Sequence, residues 1–95
     1  SSSKAALLAL TRNLALHWVN DGIRVNAVAP GLIDTPMTAP MKPFQEMLDG
    51  ELAKQMMRRM GTPEEVAAAV LFLSSEASSF TTGTAFAIDG GYLAL

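Results

Sequence analysis

The sequence predicts an α/β protein: the last two strands of a doubly wound parallel sheet with their flanking helices. Three observations carry that reading. Helical periodicity and strand-like runs alternate along the chain. The first strand-like run, residues 23–29, is short, β-branched and apolar near its end, as in a sheet covered on both faces. A long helical stretch separates the two strands, and such a crossover joins parallel neighbours in a right-handed sense. Two strands alone cannot make a doubly wound sheet, because helices on both faces need more strands to cover them. Residues 1–95 are therefore expected to form part of one larger domain.

Residues 1–21 read as a helix. Leu7, Leu10, Leu14 and Trp18 recur on one face, with Leu8, Ala15 and Val19 beside them. Asp21-Gly22 stops it, since Gly suits the left-handed residue after a helix end. The first strand follows, and Pro30-Gly31 breaks it. Residues 32–42 form a loop with Pro36 and Pro40. A second helix is expected from Pro43 towards Arg59, with Phe44, Met47, Leu48, Leu52 and Met56 as its apolar stripe. Gly50 weakens it by about 1 kcal/mol relative to Ala. The third helix has the clearest start: Thr62 caps, Pro63 takes the first helical position and Glu65 completes a capping box. Its stripe is Val66, Val70, Leu73 and Ala77, with Ala67 and Leu71 beside it. Residues 78–83 turn, residues 84–88 form the last strand, and Asp89-Gly90-Gly91 closes it. The chain shows no repeat, low-complexity tract or interdomain linker.

Composition narrows the chemistry. Seven Lys and Arg against nine Asp and Glu give a net charge of −2, and 49% of residues are hydrophobic. That is too apolar for a disordered chain and too weakly charged for a typical nucleic-acid binder. With no cysteine, disulfides, thiolate catalysis and Cys-ligated zinc are excluded, and the single His17 cannot build a histidine-rich metal site. No apolar run reaches the roughly 18 residues of a membrane span, and no secretory signal is visible. A cytoplasmic location without membrane contact is expected.

Several segments then follow in a telling order. They are Ser-Ser-Ser-Lys-Ala-Ala-Leu from Ser1 to Leu7, Arg24-Val25-Asn26-Ala27-Val28-Ala29-Pro30-Gly31, and Ile33-Asp34-Thr35-Pro36-Met37-Thr38. Glu64-Glu65-Val66-Ala67 and Asp89-Gly90-Gly91 complete the set. Together they resemble the C-terminal part of a short-chain dehydrogenase/reductase, over nearly the whole chain. The resemblance implies a Rossmann-type sheet and an NAD- or NADP-dependent enzyme that moves hydride between nicotinamide and an alcohol or ketone carbon.

By that resemblance Lys4 is the lysine of a Tyr-x-x-x-Lys motif, and the tyrosine is expected immediately before Ser1. Positions four apart share a helix face, so phenol and ammonium point together. A phenol has a pKa near ~10, and a neighbouring ammonium lowers it towards working pH. The family's lysine also hydrogen-bonds the nicotinamide ribose. The competing reading makes Lys4 a solvated surface charge. A lysine in a first turn opposes the helix dipole, so the helix is expected to begin earlier.

The second expected site is the loop after the first strand, where α/β sheets bind ligands. Pro30 fixes φ and Gly31 permits close backbone approach. The resemblance implies that the backbone near Ile33 and the hydroxyl of Thr35 bond the nicotinamide carboxamide, alongside Pro30 and Gly31. The alternative is an ordinary Pro-Gly turn with a helix-capping Thr. All six methionines lie between Met37 and Met60, in the segment matching the family's variable lid. Residues 30–60 thus read as nicotinamide loop and substrate lid. Met37, Met41, Phe44 and Met47 are candidates for an apolar substrate pocket; they equally suit packing of the small helix.

The remaining polar residues read as structural. Asn26 satisfies backbone groups, His17 lies on a helix face or interface, and Asp34 is a loop or capping carboxylate. Glu64 and Glu65 favour the positive helix end, and Asp89-Gly90-Gly91 is a turn or subunit contact. The first helix resembles a family helix that pairs subunits, and the third helix with the final strand resembles the other common subunit contact, which implies a homodimer or homotetramer. The alternative, compatible with it, is that these faces cover the family's upstream strands. The glycine-rich pyrophosphate loop and the residue that selects NAD or NADP are not in these residues. The 95-residue polypeptide alone is expected neither to bind dinucleotide tightly nor to turn over substrate. The alternative function is a non-catalytic oligomerisation or interaction module.

Overall fold

The computed structural model describes residues 2–92, with side chains from Lys4 onward, so Ser1 of the first motif lies outside the described residues. Three α-helices, α1 (Ser2–Trp18), α2 (Gln45–Leu52) and α3 (Pro63–Leu73), accompany two strands, β1 (Ala27–Pro30) and β2 (Ala85–Ile88). The chain divides into two compact units. The first is Ser1–Ala29 with Ala69–Phe86, the second Pro30–Ala68 with Ala87–Leu95.

β1 and β2 pair in a two-stranded sheet. In the first unit Ala27 N donates to Thr84 O at 2.9 Å; in the second Gly31 N donates to Ile88 O at 2.9 Å. The residue offset is the same at both points, so the strands are parallel, as the long crossover requires. β1 starts later than expected and includes Pro30 instead of ending before it. The side chains of residues 24–26 explain the late start. Arg24 reaches the carbonyls of Leu73, Thr81 and Ser75 at 2.9, 3.1 and 3.3 Å. Asn26 donates to Thr81 O at 3.0 Å and accepts from Thr84 N at 3.1 Å. These bonds stand where ladder bonds would, and they bear out the backbone-satisfying role of Asn26. Pro30 is tolerated because Ala27 and Gly31 face β2, so the nitrogen of Pro30 faces away from it.

In the first unit, α1 buries Thr11 and Ala15, while Leu10, Leu14 and Trp18 of the expected stripe stay exposed. Small residues win because backbone comes close: a Cβ on Gly83 would lie 3.5 Å from that of Ala15. Thr11 is buried with its hydroxyl donating to Leu7 O at 2.7 Å. A 3-10 turn, Val19–Asp21, follows α1, and Gly22 closes it at φ 73°, as its composition predicts. α3 likewise buries Ala69 and exposes Val70 and Leu71, contrary to the expected stripe. Ala77 lies beyond it, in the 3-10 turn Glu76–Ser78. Phe72 meets Phe86 edge-to-face at 6.3 Å, and His17 meets Trp18 at 4.9 Å.

In the second unit, α2 buries Leu48 and ends at Leu52, well short of Arg59. Gln55 causes the early end. It is buried, and its Nε2 donates to Met57 O and, at 2.6 Å, to Arg59 O, folding residues 55–59 into a turn. Met57 N then donates to Gly90 O at 2.8 Å. Met56 therefore leaves the helical stripe and is exposed. The start of α3 is as predicted: Glu65 N donates to Thr62 Oγ1 at 3.2 Å, and Thr62 N to Glu65 Oε1 at 2.8 Å. Arg59 adds two bonds of 2.9 Å to the same carboxylate. Gly31 lies so near Asp89 that a Cβ would sit 2.8 Å from its Cα.

Two expectations follow. Gly31→Ala should cost about 1–3 kcal/mol by overpacking against Asp89, read as a lower urea midpoint. Bonding from Arg59 and Thr62 holds the Glu65 carboxyl down at about 2, against an ordinary 4.5. A depressed pKa stabilises above the ordinary value and is lost as pH falls towards the folded one. Urea midpoints measured across acid pH should fall more steeply for the native chain than for Glu65→Gln, which keeps the cap but not the charge.

Candidate functional site

The expected nicotinamide loop begins where β1 ends, in the second unit. Gly61 N donates to Leu32 O and Asp34 N donates to Gly61 O, each at 2.9 Å. This is an isolated parallel bridge between Ile33 and Gly61. In such a bridge the flanking residues face the partner, and the N–H and C=O of Ile33 itself face the opposite edge.

That edge is partly claimed. Thr38 Oγ1 donates to Ile33 O at 2.6 Å and accepts from Thr35 N at 3.0 Å. Thr35 O accepts from Thr38 N at 3.1 Å and Ala39 N at 3.0 Å, and lies 3.1 Å from Thr38 Oγ1. Two groups remain: among the described residues, Ile33 N–H and Thr35 Oγ1 have no hydrogen-bond partner. One amide donor and one hydroxyl, two residues apart, match the acceptor and donor of a carboxamide. Gly31, Ile33 and Thr35 lie on one short loop, and Pro30 is the last residue of β1 before it. Asp34 is paired with Lys42 at 2.9 Å, both about half exposed, and is no free base.

A cavity of about 270 Å³ opens in the same unit, lined by Leu32, Ile33, Gln55, Met57, Gly61 and Gly90 among others. Met37, Met41, Phe44 and Met47 do not line it. Met37 is 89% exposed, Phe44 and Met47 are exposed, and Met41 is half-buried. Met57, Gln55 and Thr38 are the residues that sequence reasoning passed over. Thr38 had a readable signal: a hydroxyl three residues after Thr35 can close a local turn.

Lys4 belongs to the first unit. It stands half-buried in the first turn of α1, a turn with no acidic residue. Among the described residues it makes no ion pair, so nothing there offsets its opposition to the helix dipole. The described residues contain no cluster of three or more His, Asp or Glu able to hold a metal ion. No helix among them is long and apolar enough to cross a membrane.

Comparison with known proteins gives one answer. Residues 1–93 match the family model described as enoyl-(acyl carrier protein) reductase. A galactitol 2-dehydrogenase from Rhizobium johnstonii is 53% identical over 90 residues, covering 95% of this chain and 35% of its own. A solved 4-hydroxyisoleucine dehydrogenase complexed with NADH superposes at TM-score 0.90 with 32% identity, covering 99% of this chain and 39% of that one. A structure from Agrobacterium tumefaciens with bound NADP superposes at 0.89 with 36% identity, covering 99% and 38%. The chain thus spans about a third of the length of the relatives it matches. With the family model covering residues 1–93 and dehydrogenases matching 95% and 96% of the chain, it belongs to the short-chain dehydrogenase/reductase family.

Proposed function

We propose that this chain supplies part of an NAD- or NADP-dependent oxidoreductase site acting on an alcohol or ketone. The observation that carries the reading is the pair of unclaimed groups, Ile33 N–H and Thr35 Oγ1, on the loop edge that faces away from Gly61, with the amides of Asp34 and Thr35 between and beside them both spent. Residues 30–60 serve as nicotinamide loop and substrate lid. Pro30 and Gly31 set the loop's exit from β1, and Ile33 and Thr35 hold the carboxamide. The lid residues Met37, Met41, Phe44 and Met47 contact substrate. A nicotinamide dinucleotide, when bound, would supply or accept the hydride. The protein's part is to orient the ring and manage one proton. In a reading frame with a tyrosine four positions before it, the ammonium of Lys4 would stabilise that phenolate, and the phenol would exchange a proton with the substrate oxygen. Lys4 also bonds the ribose. Solved relatives carry NADH or NADP, and either suits this reading, since both present the same nicotinamide carboxamide.

Exposed apolar side chains support a second role in the same protein. Leu10 and Leu16 on α1 and Leu71 on α3 are 56%, 77% and 71% exposed. We place homo-oligomer contacts on these helices, as a dimer or tetramer in the cytoplasm.

The test uses the longest reading frame that carries this sequence with a tyrosine before Ser1. It is assayed by nicotinamide absorbance against a panel of alcohols and ketones with both cofactors. Thr35→Val should raise the cofactor dissociation constant about fivefold, the worth of one hydrogen bond of about 1 kcal/mol. Lys4→Met should lower kcat by about 100-fold or more and move the pH profile to higher pH. Wild-type turnover of no member of the panel, or unchanged values in both variants, would overturn the reading.

A further inference from the structure

We propose that Thr38 is a positioning residue for the nicotinamide loop, its hydroxyl deciding which backbone donor residues 33–35 offer. The inference rests on the cofactor reading above and adds a residue to it.

Three amide N–H groups lie between residues 33 and 35. Asp34 N is spent on Gly61 O. Thr35 N is spent on Thr38 Oγ1 at 3.0 Å. Ile33 N–H is the one left. Were Thr38 to lose its hydroxyl, Thr35 N would be released beside Ile33 N–H, and Ile33 O would lose its 2.6 Å donor. A carboxamide would then meet two competing donors and a freed acceptor in place of a single orientation. A hydroxyl has one proton and two lone pairs, and Thr38 uses the proton and a lone pair on residues that frame the site.

Thr38 has another obvious occupation, and it is not engaged in it. It stands at the N-cap of the 3-10 turn Ala39–Met41, where a threonine hydroxyl commonly accepts from the turn that follows. Here its side chain makes no capping bond. It points back along the chain, to Ile33 and Thr35. The turn itself is closed by main chain: Met41 N donates to Thr38 O at 2.9 Å and Lys42 N to Ala39 O at 3.1 Å. Removing the hydroxyl should therefore loosen the loop before it and leave the turn after it.

Thr38→Val keeps the shape and removes the hydroxyl; Thr38→Ser keeps the hydroxyl. Both are made in the longest reading frame carrying this sequence. Amide hydrogen exchange at Thr35 and the dissociation constants for NAD and NADP are measured. In Thr38→Val, Thr35 should exchange about tenfold faster, with exchange at Met41 and Lys42 unchanged. Cofactor dissociation constants should rise about fivefold, the equivalent of one hydrogen bond. Thr38→Ser should stay near the native values in both. Unchanged Thr35 exchange in Thr38→Val would overturn the proposal, as would Thr38→Ser behaving like Thr38→Val. Faster exchange with unaltered affinity in both Thr38→Val and Thr35→Val would instead overturn the cofactor reading and leave only a loop clamp.

Discussion

The candidate site depends on two backbone hydrogen bonds made by Gly61, one to Leu32 and one from Asp34. A parallel bridge sorts backbone groups by parity: neighbours of Ile33 face Gly61, and Ile33 itself faces outward. Without that contact, residues 32–34 would have no fixed edge to present. Gly61 is suited to it by size, since a Cβ there would lie 2.8 Å from Ile33 Cδ1. The next residue, Thr62, opens the capping box of α3, and Arg59 bonds the same Glu65 that the cap uses. Residues 59–65 thus start a helix and hold a loop at once. A change that loosens the helix start is felt at the loop edge.

Elsewhere polar side chains do the joining. In the first unit Arg24 and Asn26 bond main-chain groups of residues 73–84, each far away in sequence. In the second, Gln55 turns residues 55–59 by bonding two carbonyls. The buried set contains Thr11, Gln55, Ser78 and Asp89 beside Ala15, Ala29, Leu48 and Ala69. Buried polar atoms are costly unless bonded. Thr11, Gln55 and Ser78 each have a main-chain partner, and Gly91 N donates to Asp89 Oδ1 at 2.9 Å. Burial in each unit is set by close main-chain approach at small residues and by satisfied polar groups.

That balance explains what could be read from residues alone. Punctuation was legible because its chemistry is local: Gly22 at the end of α1 and Thr62-Pro63-Glu65 at the start of α3. That Gly31 allows a close approach was legible too; that Asp89 makes it was not. The order of elements and the parallel pairing followed from periodicity and crossover length. Burial was not legible. Periodicity tells which face of a helix is apolar, not whether anything covers it, so Leu10 and Leu14 were expected inside and Thr11 was not. The end of α2 was missed because the buried side chain of Gln55 bonds the carbonyls of Met57 and Arg59 and turns the chain, against a stripe that runs to Met56. The Ile33 and Thr35 loop positions came from family resemblance. Their availability came only from geometry, since parity across Gly61 and the bonds of Thr38 have no signature in composition.

The same accounting bears on what the loop recognises. Its one carboxylate, Asp34, is already paired with Lys42 at 2.9 Å, so the loop brings no unpaired charge. On the edge that faces away from Gly61, what remains is the Ile33 N–H and the Thr35 hydroxyl. A phosphate or carboxylate ligand calls for several donors or a cation; this edge has neither. A neutral, planar group with one acceptor and adjacent donors fits it, and geometry must then supply the selectivity that charge would otherwise give. Such selectivity is sharp when the site's own groups are left unpaired by the wrong ligand. It survives only while the number of available donors stays fixed. A loop edge that reads by hydrogen bonds must therefore keep surplus donors off that edge, and here Asp34 N is spent on Gly61 O and Thr35 N on Thr38 Oγ1.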